Sequence, residues 1–394
     1  MIQKTTIVFC ICLMSLSAFC QDNSIQSILQ KIETNNSDLK TSRTYIESQT
    51  FALKSTNVLP NPEASTYYLP FGQTVSGNYT EFQLSQSFEF PTVYSARKKL
   101  IGLQKDQLET EYLQKRQQIL VEAQQLVQQV IALNKQEQVE AERAKKAEQL
   151  FSQIQTLFDK EHIGILELNK AKIAFMNTKF KVQNIQVEKE NLLKQIQMIN
   201  GGNNIQISLL DYETDFSLPK KDSLWQEIQK GNQSLAYHNQ SIGIAQQNIN
   251  LTRAKQLPNL SIGYNYQGFA GDNYSGILAG VSLPLWGNKL RKNAARSALE
   301  FSKSNADVQV QMLKSNFESQ YDKYISLLKM YEDYNSVLST FGSEELLYKA
   351  YDKGQISFSQ YFIELDFYHT SHDAMLDMEE QLQLLKSQLL KYKL

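Results

Sequence analysis

The side chains best suited to metal chemistry lie close together near residue 370 of this 394-residue chain. His369, His372, Met375 and Met378 recur every three residues within a helical pattern. Imidazole and thioether groups are ligands that Cu(I) and Ag(I) accept. Steps of three residues drift around a helix, so the alternative is that these side chains are solvated or line a helix seam. We therefore assign no metal site, and keep His369, His372 and Met375 only as candidates.

No other pattern in the sequence points to catalysis. Gly201 and Gly202 have no strand pattern before them and no Lys-Ser/Thr after them, so they indicate a linker and not a phosphate loop. Cys10, Cys12 and Cys20 all precede residue 21, which leaves the rest of the chain without a thiol. The formal charge of −1 is no footprint for nucleic acid. We expect neither an enzyme nor a cofactor.

Residues 1–20 have the pattern of a signal peptide. Lys4 precedes an apolar run over 7–19 that is too short to span a bilayer as a helix. Ala18 and Cys20 are small residues at the −3 and −1 positions of a cleavage site. A lipoprotein signal with a lipidated Cys20 is the rival, although Phe19 is bulky where such a signal has a small residue. Both alternatives predict export.

One pattern occurs twice along the chain. A helix, two strands, a very long helix, a break and a final helix are predicted over 21–200 and again over 222–394, with 201–221 as the linker. The chain has only 16 Gly and 7 Pro, so few turns and long elements are expected.

Each repeat contains a pair of half-polar strands, predicted at about 62–90 and 259–285. Apolar and polar residues alternate in both pairs. Strands of ~10 residues with one apolar and one polar face suit a membrane barrel with a wet lumen, and the alternative is a soluble sheet packed on a helix layer. Aromatic residues that would suit an interfacial girdle cluster near the hairpin loops, namely Tyr67, Tyr68, Phe71, Tyr79, Phe269 and Tyr274.

Four strands per chain are too few for a closed barrel, because the smallest membrane barrels have about eight. No stretch after residue 20 reaches the ~18 apolar residues of a transmembrane helix, so membrane entry would require strands. The chain must then oligomerise to hide its strand edges, and three copies would supply twelve strands. The predicted fold class is mainly α, with a small membrane β-barrel.

The longest helical pattern, over 93–157, contains no Pro and a single Gly. Such a helix reaches roughly 100 Å and must lie along other helices. A plain dimeric coiled coil is the simpler interpretation, but it leaves the four strands unexplained. Apolar residues in steps of three and four predict a coiled-coil seam in each half, formed by Ile119, Ala123, Leu126, Val130 and Leu133 and by Phe317, Tyr321, Tyr324, Leu328 and Tyr331.

This organisation resembles the TolC-like outer-membrane efflux proteins over essentially all of the chain after residue 20. The first shared motif is Leu-Pro-Asn-Pro at 59–62, with a partial copy at 257–260. The second is the exit from the strands into the long helix, at 84–91 and 281–287. This exit motif looks most like that of the heavy-metal cation-efflux branch.

The third motif is the tip of the helical hairpin. Residues 351–358 are similar to the family's aromatic-x-x-Gly-x-x-Ser tip, and 158–171 align with them without gaps. The first tip departs from the pattern, with Glu161 where the family has Gly and Gly164 where it has Ser. The predicted tip residues are Phe158, Asp159, Lys160, Glu161 and Gly164 in the first half and Tyr351, Asp352, Lys353, Gly354 and Ser357 in the second.

The resemblance implies a homotrimer with a twelve-stranded barrel in outer-membrane lipid and a long helical tunnel in the periplasm. It implies that the tips contact a periplasmic adaptor (membrane fusion) protein serving an inner-membrane pump, of RND type. The implied function is a passive exit duct for small solutes or metal cations, with a type I polypeptide secretion duct as the alternative. Asp352, Asp366 and Asp373 could ring the inner mouth and favour cations, or be ordinary surface charges.

Overall fold

The computed structural model describes residues 24–70, 78–212, 215–269, 271–340 and 344–394. The predicted signal peptide, Phe71 and most of the first hairpin loop lie outside the described residues. The elements of the first half are α1 (Ile25–Asn35), α2 (Ser37–Ser55), β1 (Glu63–Leu69), β2 (Tyr79–Phe88), α3 (Pro91–Asp159) and α4 (Ile165–Ile199). Those of the second half are α5 (Lys221–Gly231), α6 (Gln233–Ala254), β3 (Asn259–Phe269), β4 (Asp272–Ser282), α7 (Asn288–Thr340), α8 (Glu344–Asp352) and α9 (Phe358–Leu390), followed by a 3-10 turn (Lys391–Lys393).

The predicted order of elements is present in both halves, except that two helices precede each strand pair where one was predicted, namely α1 and α2 in the first half and α5 and α6 in the second. In the second half, the predicted long helix is described as α7 up to Thr340 and as α8 from Glu344, and residues 341–343 between them lie outside the described residues. β4 also ends three residues earlier than predicted, at Ser282, just before a segment containing Pro284, which has no N–H to donate to a strand partner.

The start of each half is built around an asparagine. Asn36 ends α1 and caps α2, its side chain accepting a hydrogen bond from the Leu39 N–H. Asn232 occupies the same place between α5 and α6 and accepts from the Leu235 N–H. Both asparagines are buried. The two halves therefore use the same local device to turn one helix into the next.

The four strands form one antiparallel sheet in the order β1-β2-β3-β4. The central pair joins the two halves, with Phe82 opposite Tyr266 and Leu84 opposite Tyr264. The outer strands pair on one side only, so β1 and β4 are free edges among the described residues.

The apolar face of the sheet is open. Large apolar side chains point to the outside on all four strands, whereas the intervening Glu81, Gln83 and Ser85 are partly covered. Glu81 accepts hydrogen bonds from Tyr79 and Asn265 on this polar face. No described helix packs extensively on the sheet. The exposed apolar side chains include Tyr67, Leu69, Phe82, Leu84, Ile262, Tyr264, Ile277 and Val281.

The helices supply the buried core in three main clusters. One cluster joins α1 and α2 to α3 and the end of α4, and a second joins α5 to α7 and α9. The third lies at the hairpin tips. The predicted first seam is confirmed, since Ile119, Ala123, Leu126, Val130 and Leu133 are all buried. Within the described chain, no helix has both the length and the apolar character needed to cross a membrane.

Candidate functional site

Two chain reversals form the tips of the long helical hairpins. At the second tip, Gly354 has a φ of 69° and its N–H donates to the Tyr351 carbonyl, while the Gln355 N–H donates to the Ala350 carbonyl. At the first tip, Glu161 has a φ of 60°, with the same pair of bonds to the Phe158 and Leu157 carbonyls. The first tip therefore keeps the backbone of the second, although glycine has been replaced by glutamate.

The helix that follows each tip starts differently. Ser357 caps α9 with a reciprocal capping box, in which its hydroxyl accepts from the Gln360 N–H and the Gln360 side chain accepts from the Ser357 N–H. Gly164 occupies the equivalent position before α4 and has no side chain to offer. The second tip is thus the better stabilised of the two.

The backbone of the tips gives a first testable prediction. A non-glycine residue in the left-handed region costs roughly 1–2 kcal/mol, and nothing lies within 4 Å of a Cβ built on Gly354. We expect Gly354→Ala to destabilise the hairpin by about 1 kcal/mol through φ alone, and Glu161→Gly to stabilise it by up to about 1 kcal/mol. Thermal unfolding followed by circular dichroism measures both. Equal and negligible shifts in the two variants would contradict the left-handed backbone.

An apolar cluster ties the two tips to each other. Tyr351 stacks on Tyr361 with ring centroids 5.3 Å apart, and Phe358 meets Phe362 edge-on at 4.7 Å. Burial raises the pKa of Tyr361 to about 12. The cluster holds both halves together because it draws on α3, α4 and α9, through Leu150, Ile154, Leu168, Ala171, Phe358 and Tyr361, with Phe158 and Tyr351 packed against it.

The remaining predicted tip residues face outward. Asp159, Lys160 and Glu161 at the first tip are exposed, and so are Asp352 and Lys353 at the second. Within the described chain, none of these charged side chains forms an ion pair. They are available for contact with another molecule.

Above the tips, ion pairs cross between the two hairpins with one polarity. In each pair the cation belongs to α3 or α4 and the anion to α8 or α9. The pairs are Lys135–Glu379 at 2.8 Å, Arg143–Asp373 at 2.7 Å, Lys181–Asp373 at 2.5 Å and Lys146–Glu344 at 2.5 Å. The facing surfaces of the hairpins are therefore complementary in charge.

Asp373 is the centre of this network. Its two carboxylate oxygens accept separately from Arg143 on α3 and Lys181 on α4, so one side chain of α9 binds both helices of the first hairpin. Arg143 is only 4 % exposed and also pairs with Glu140, which is 3 % exposed. Burial alone would raise the pKa of Asp373, but the hydrogen bonds from Lys181 and Arg143 outweigh it and the pKa is lowered.

Glu344 forms a second junction near the tips. It accepts from Lys146 and lies 2.6 Å from the Nε2 atom of His369. The hydrogen bond with His369, opposed by burial and aided by Lys146, lowers the pKa of Glu344 to about 2. A cleft of about 730 Å³ opens beside this junction between α3, α4, α8 and α9.

Of the candidate metal ligands, only His369 forms a hydrogen bond within the described chain. His369 is committed to Glu344, and His372 is half-buried, with a pKa lowered by burial and by the charge of Arg143. Among the residues that the structure describes, no three His, Cys, Asp or Glu side chains are arranged to hold a metal ion.

The carboxylates expected near the mouth divide into two kinds. Asp352 and Asp366 are exposed, whereas Asp373 lies between helices with Arg143 and Lys181. Sequence reasoning missed Arg143, Glu140 and Lys181. Only the spacing of Glu140 and Arg143 by three residues gave any signal, and such pairs are common on exposed helix faces.

The chain has two long helical hairpins, with their tips at one end, and a four-stranded sheet at the other end. This is the fold of bacterial outer-membrane channels. The TolC-like fold expected from the sequence is confirmed by solved structures. The chain is similar to CusC, whose crystal structures address folding and transmembrane channel formation, with 15% identity, 94% of this chain and 92% of that chain covered, and a TM-score of 0.78. It is also similar to the CmeC outer membrane channel of Campylobacter jejuni, with 15% identity, 94% and 85% covered, and a TM-score of 0.70.

A third similar structure is the open state of the MtrE outer membrane channel of Neisseria gonorrhoeae. It has 12% identity, with 93% of this chain and 88% of that chain covered, and a TM-score of 0.64. No protein-family model and no curated protein matches the sequence. At these identities the likeness establishes the fold.

Proposed function

We propose that this chain is the outer-membrane channel subunit of a tripartite efflux system, a passive exit duct and not an enzyme. The proposal rests on the fold that it shares with outer-membrane channels and, above all, on the uncovered apolar face of its sheet. The signal peptide predicted at 1–20, the two repeats at 21–200 and 222–394 and the linker at 201–221 fit a duplicated, exported channel chain.

The sheet is the observation that carries the proposal. A soluble sheet buries its apolar face against helices, but here apolar side chains such as Ile277, which is 84 % exposed, point away from the rest of the chain. The polar side chains lie on the opposite face. This arrangement is stable where the outside is lipid and the inside is water.

The sheet edges support a trimer. β1 and β4 each leave one row of backbone donors and acceptors without a strand partner in the described chain. Unsatisfied backbone groups are costly in lipid, so the edges must pair with other copies. Three copies place β4 of one beside β1 of the next and close a barrel of twelve strands, with the helices extending into the periplasm.

The tips would meet the other components. Exposed charges at both tips, on helix ends that offer free backbone groups, suit a docking point for a periplasmic adaptor protein. The contact residues would be Phe158, Asp159, Lys160, Glu161 and Gly164 with Tyr351, Asp352, Lys353, Gly354 and Ser357. Through that adaptor the duct would serve an inner-membrane pump of RND type, which supplies the energy for exporting small solutes or metal cations.

A pair of lysine substitutions tests the membrane face. Ile277→Lys puts a charge on the apolar face, where it costs up to ~2–4 kcal/mol in lipid, and we expect the protein to be lost from the outer-membrane fraction. Gln83→Lys places the same charge on the polar face and should leave that fraction unchanged. Quantitative immunoblots of separated membranes give the readout. Equal recovery of both variants would contradict a lipid-facing surface.

The exported solute can be sought in the host. A deletion strain should be more sensitive to either metal cations or organic toxic compounds than the parent strain, and complementation with the gene should restore the parent's resistance. If the deletion leaves sensitivity to both classes unchanged, under conditions in which the parent strain expresses the protein, the result would count against an efflux role.

A further inference from the structure

Basic side chains are concentrated where the four strands meet the helices. The four junctions are residues 51–63, 88–99, 250–260 and 282–296, and together they contain ten basic residues and two acidic ones. The junctions therefore carry a formal charge of +8, whereas the whole chain carries −1. We call the basic residues of these four ranges the junction belt.

The charges of the junction belt are hardly compensated within the chain. Arg97 pairs with Glu89 at 2.5 Å, and among the described residues no other member of the belt forms an ion pair. Lys98 and Lys99 on α3 are exposed, as are Lys289 and Arg291 on α7. The belt therefore presents free positive charge to its surroundings.

The positions of these charges do not favour the helices that carry them. The N-terminus of a helix is the positive end of its dipole, so acidic side chains stabilise the first turn and basic ones destabilise it. Neither α3 nor α7 has an acidic residue in its first turn, and α7 has Lys289 and Arg291 there. A negatively charged partner outside the chain would offset this cost.

The apolar face of the sheet continues into the junction after β4. Val281, Leu283 and Leu285 alternate along the chain in register with Ile277, and all of them are exposed. Trp286 follows directly and is 84 % exposed. Tryptophan is enriched at the boundary between the hydrocarbon and the headgroups of a bilayer. The basic residues that come next, from Lys289 onward, therefore lie where headgroups would begin.

The depth of the belt matches that of a headgroup layer. Lys289 and Arg296 are separated by roughly 10 Å along α7, and Lys98 lies roughly 10 Å from the start of α3. The polar layer of a bilayer is roughly 5–8 Å thick on each side, and attraction to an anionic surface extends about 8 Å further at physiological salt. Lys289, Lys292 and Arg296 also share one face of α7, since they are spaced by three and four residues.

We propose that the junction belt binds the headgroups of anionic phospholipids in the membrane leaflet that faces the periplasm. Lysine and arginine donate charge-assisted hydrogen bonds to lipid phosphates, while the acyl chains lie against the apolar face of the sheet. Clusters of basic residues directly beside a membrane-embedded segment attract anionic lipid in this way. The inference rests on the proposed function and adds the class of lipid that holds the channel at its depth in the membrane.

Lipid retention by the full-length protein tests the belt. The purified protein is bound to an affinity resin, incubated with micelles that contain equal amounts of phosphatidylglycerol and phosphatidylcholine, and the retained lipids are quantified by mass spectrometry. We expect phosphatidylglycerol to be retained roughly fivefold more than phosphatidylcholine, which is the effect of about one basic residue near an anionic surface. The preference should nearly vanish in about 1 M salt, where the screening length falls to about 3 Å.

Two quadruple variants with the same change in charge locate the preference. Replacing Lys289, Arg291, Lys292 and Arg296 by glutamine should reduce it below about twofold. The control replaces Lys145, Lys172, Lys179 and Lys194 by glutamine, all of which are exposed on α3 or α4 below the junctions and form no ion pair in the described chain. The control should keep the preference of the parent protein.

The outcomes separate this inference from the proposed function. Equal retention of the two lipids by a parent protein that inserts into bilayers and conducts would overturn the belt and leave the channel proposal standing. An equal loss in both quadruple variants would show an effect of net charge alone and would also overturn the belt. Displacement of the retained phosphatidylglycerol by an equal concentration of glycerol phosphate would show a site for free phosphate groups instead of lipid. A parent protein that does not enter membranes would overturn both proposals.

Trp286 provides a second route that leaves the belt intact. The chain has two tryptophans, and Trp225 stacks on Phe317 among the helices, so Trp225→Phe leaves Trp286 as the only indole. In the reconstituted protein, phospholipids brominated close to the headgroup should quench its fluorescence more strongly than phospholipids brominated near the chain end. Absent quenching, or stronger quenching by the deeper bromines, would place the junction away from the headgroups and refute the inference.

Discussion

Replacing Asp373 by asparagine is expected to weaken the contact between the two hairpins more than the removal of any other single charge. The substitution leaves Arg143, which is 4 % exposed, and Lys181 facing only Glu140. Breaking a buried ion pair by removing one partner costs about 3–5 kcal/mol. Asp373 is 31 % exposed and Glu140 remains, so we expect a loss of about 2–3 kcal/mol.

The loss should be localised as well as large. Hydrogen exchange should accelerate in α9 and in the α3 and α4 segments that face Asp373, while α1 and α5 keep their protection. Thermal unfolding gives the free energy and mass-spectrometric exchange gives the location. The matched control is Asp322→Asn, which removes the partner of Lys221 at the surface, where Asp322 is 67 % exposed. Such exposed pairs contribute about 0–1 kcal/mol. Equal losses in the two variants would contradict a structural role for the Asp373 network.

The second large effect concerns Glu380, whose replacement is expected to stabilise the folded protein instead of destabilising it. Burial, together with the charges of Asp377 and Glu188, raises the pKa of Glu380 to about 7. The folded protein therefore holds a proton that the unfolded chain releases near pH 4.5, and stability falls as pH rises from about 4.5 to about 7. Glu380→Gln should stabilise the protein at pH 8 by about 1–2 kcal/mol, after allowance for partial exposure, and leave it nearly unchanged at pH 4.5.

An exposed carboxylate elsewhere on the same helix serves as the control. Glu364 is exposed on the same helix, and Glu364→Gln should change the stability at neither pH. The lowered pKa of Glu344 affects stability over a different pH range. Its contribution to the stability of the fold is present above about pH 4.5 and is lost toward pH 2. Denaturation curves at pH 4.5 and 8 for the parent and both variants decide the matter. A Glu380→Gln variant with the same gain at both pH values would show that Glu380 does not titrate in this range.

Local pattern was enough to predict most of the fold. The seam residues Ile119, Ala123 and Val130 recur in steps of three and four, and a helix converts that spacing directly into one buried face. The strands were recognisable because their side chains alternate. Alternation could not show whether helices would cover the apolar face, since that depends on where the long helices lead, and the structure leaves the face open.

The candidate site was only partly predictable. Gly354 and Ser357 indicated the second tip because a positive φ and a helix cap demand particular residues. The first tip was predicted by its alignment with the second, but its backbone was not, since the positive φ of Glu161 is a conformation that glutamate rarely adopts. The Arg143–Asp373 pair joins residues 230 positions apart, and no spacing rule connects side chains that meet only through the packing of two hairpins.

The most direct measurement of the central claim is the conductance of the purified full-length protein in a planar lipid bilayer. The account predicts stable single-channel steps from a species with three times the mass of one chain, and an open probability that rises in the Asp373→Asn variant. A folded, helical protein that stays monomeric without detergent and passes no current would contradict it.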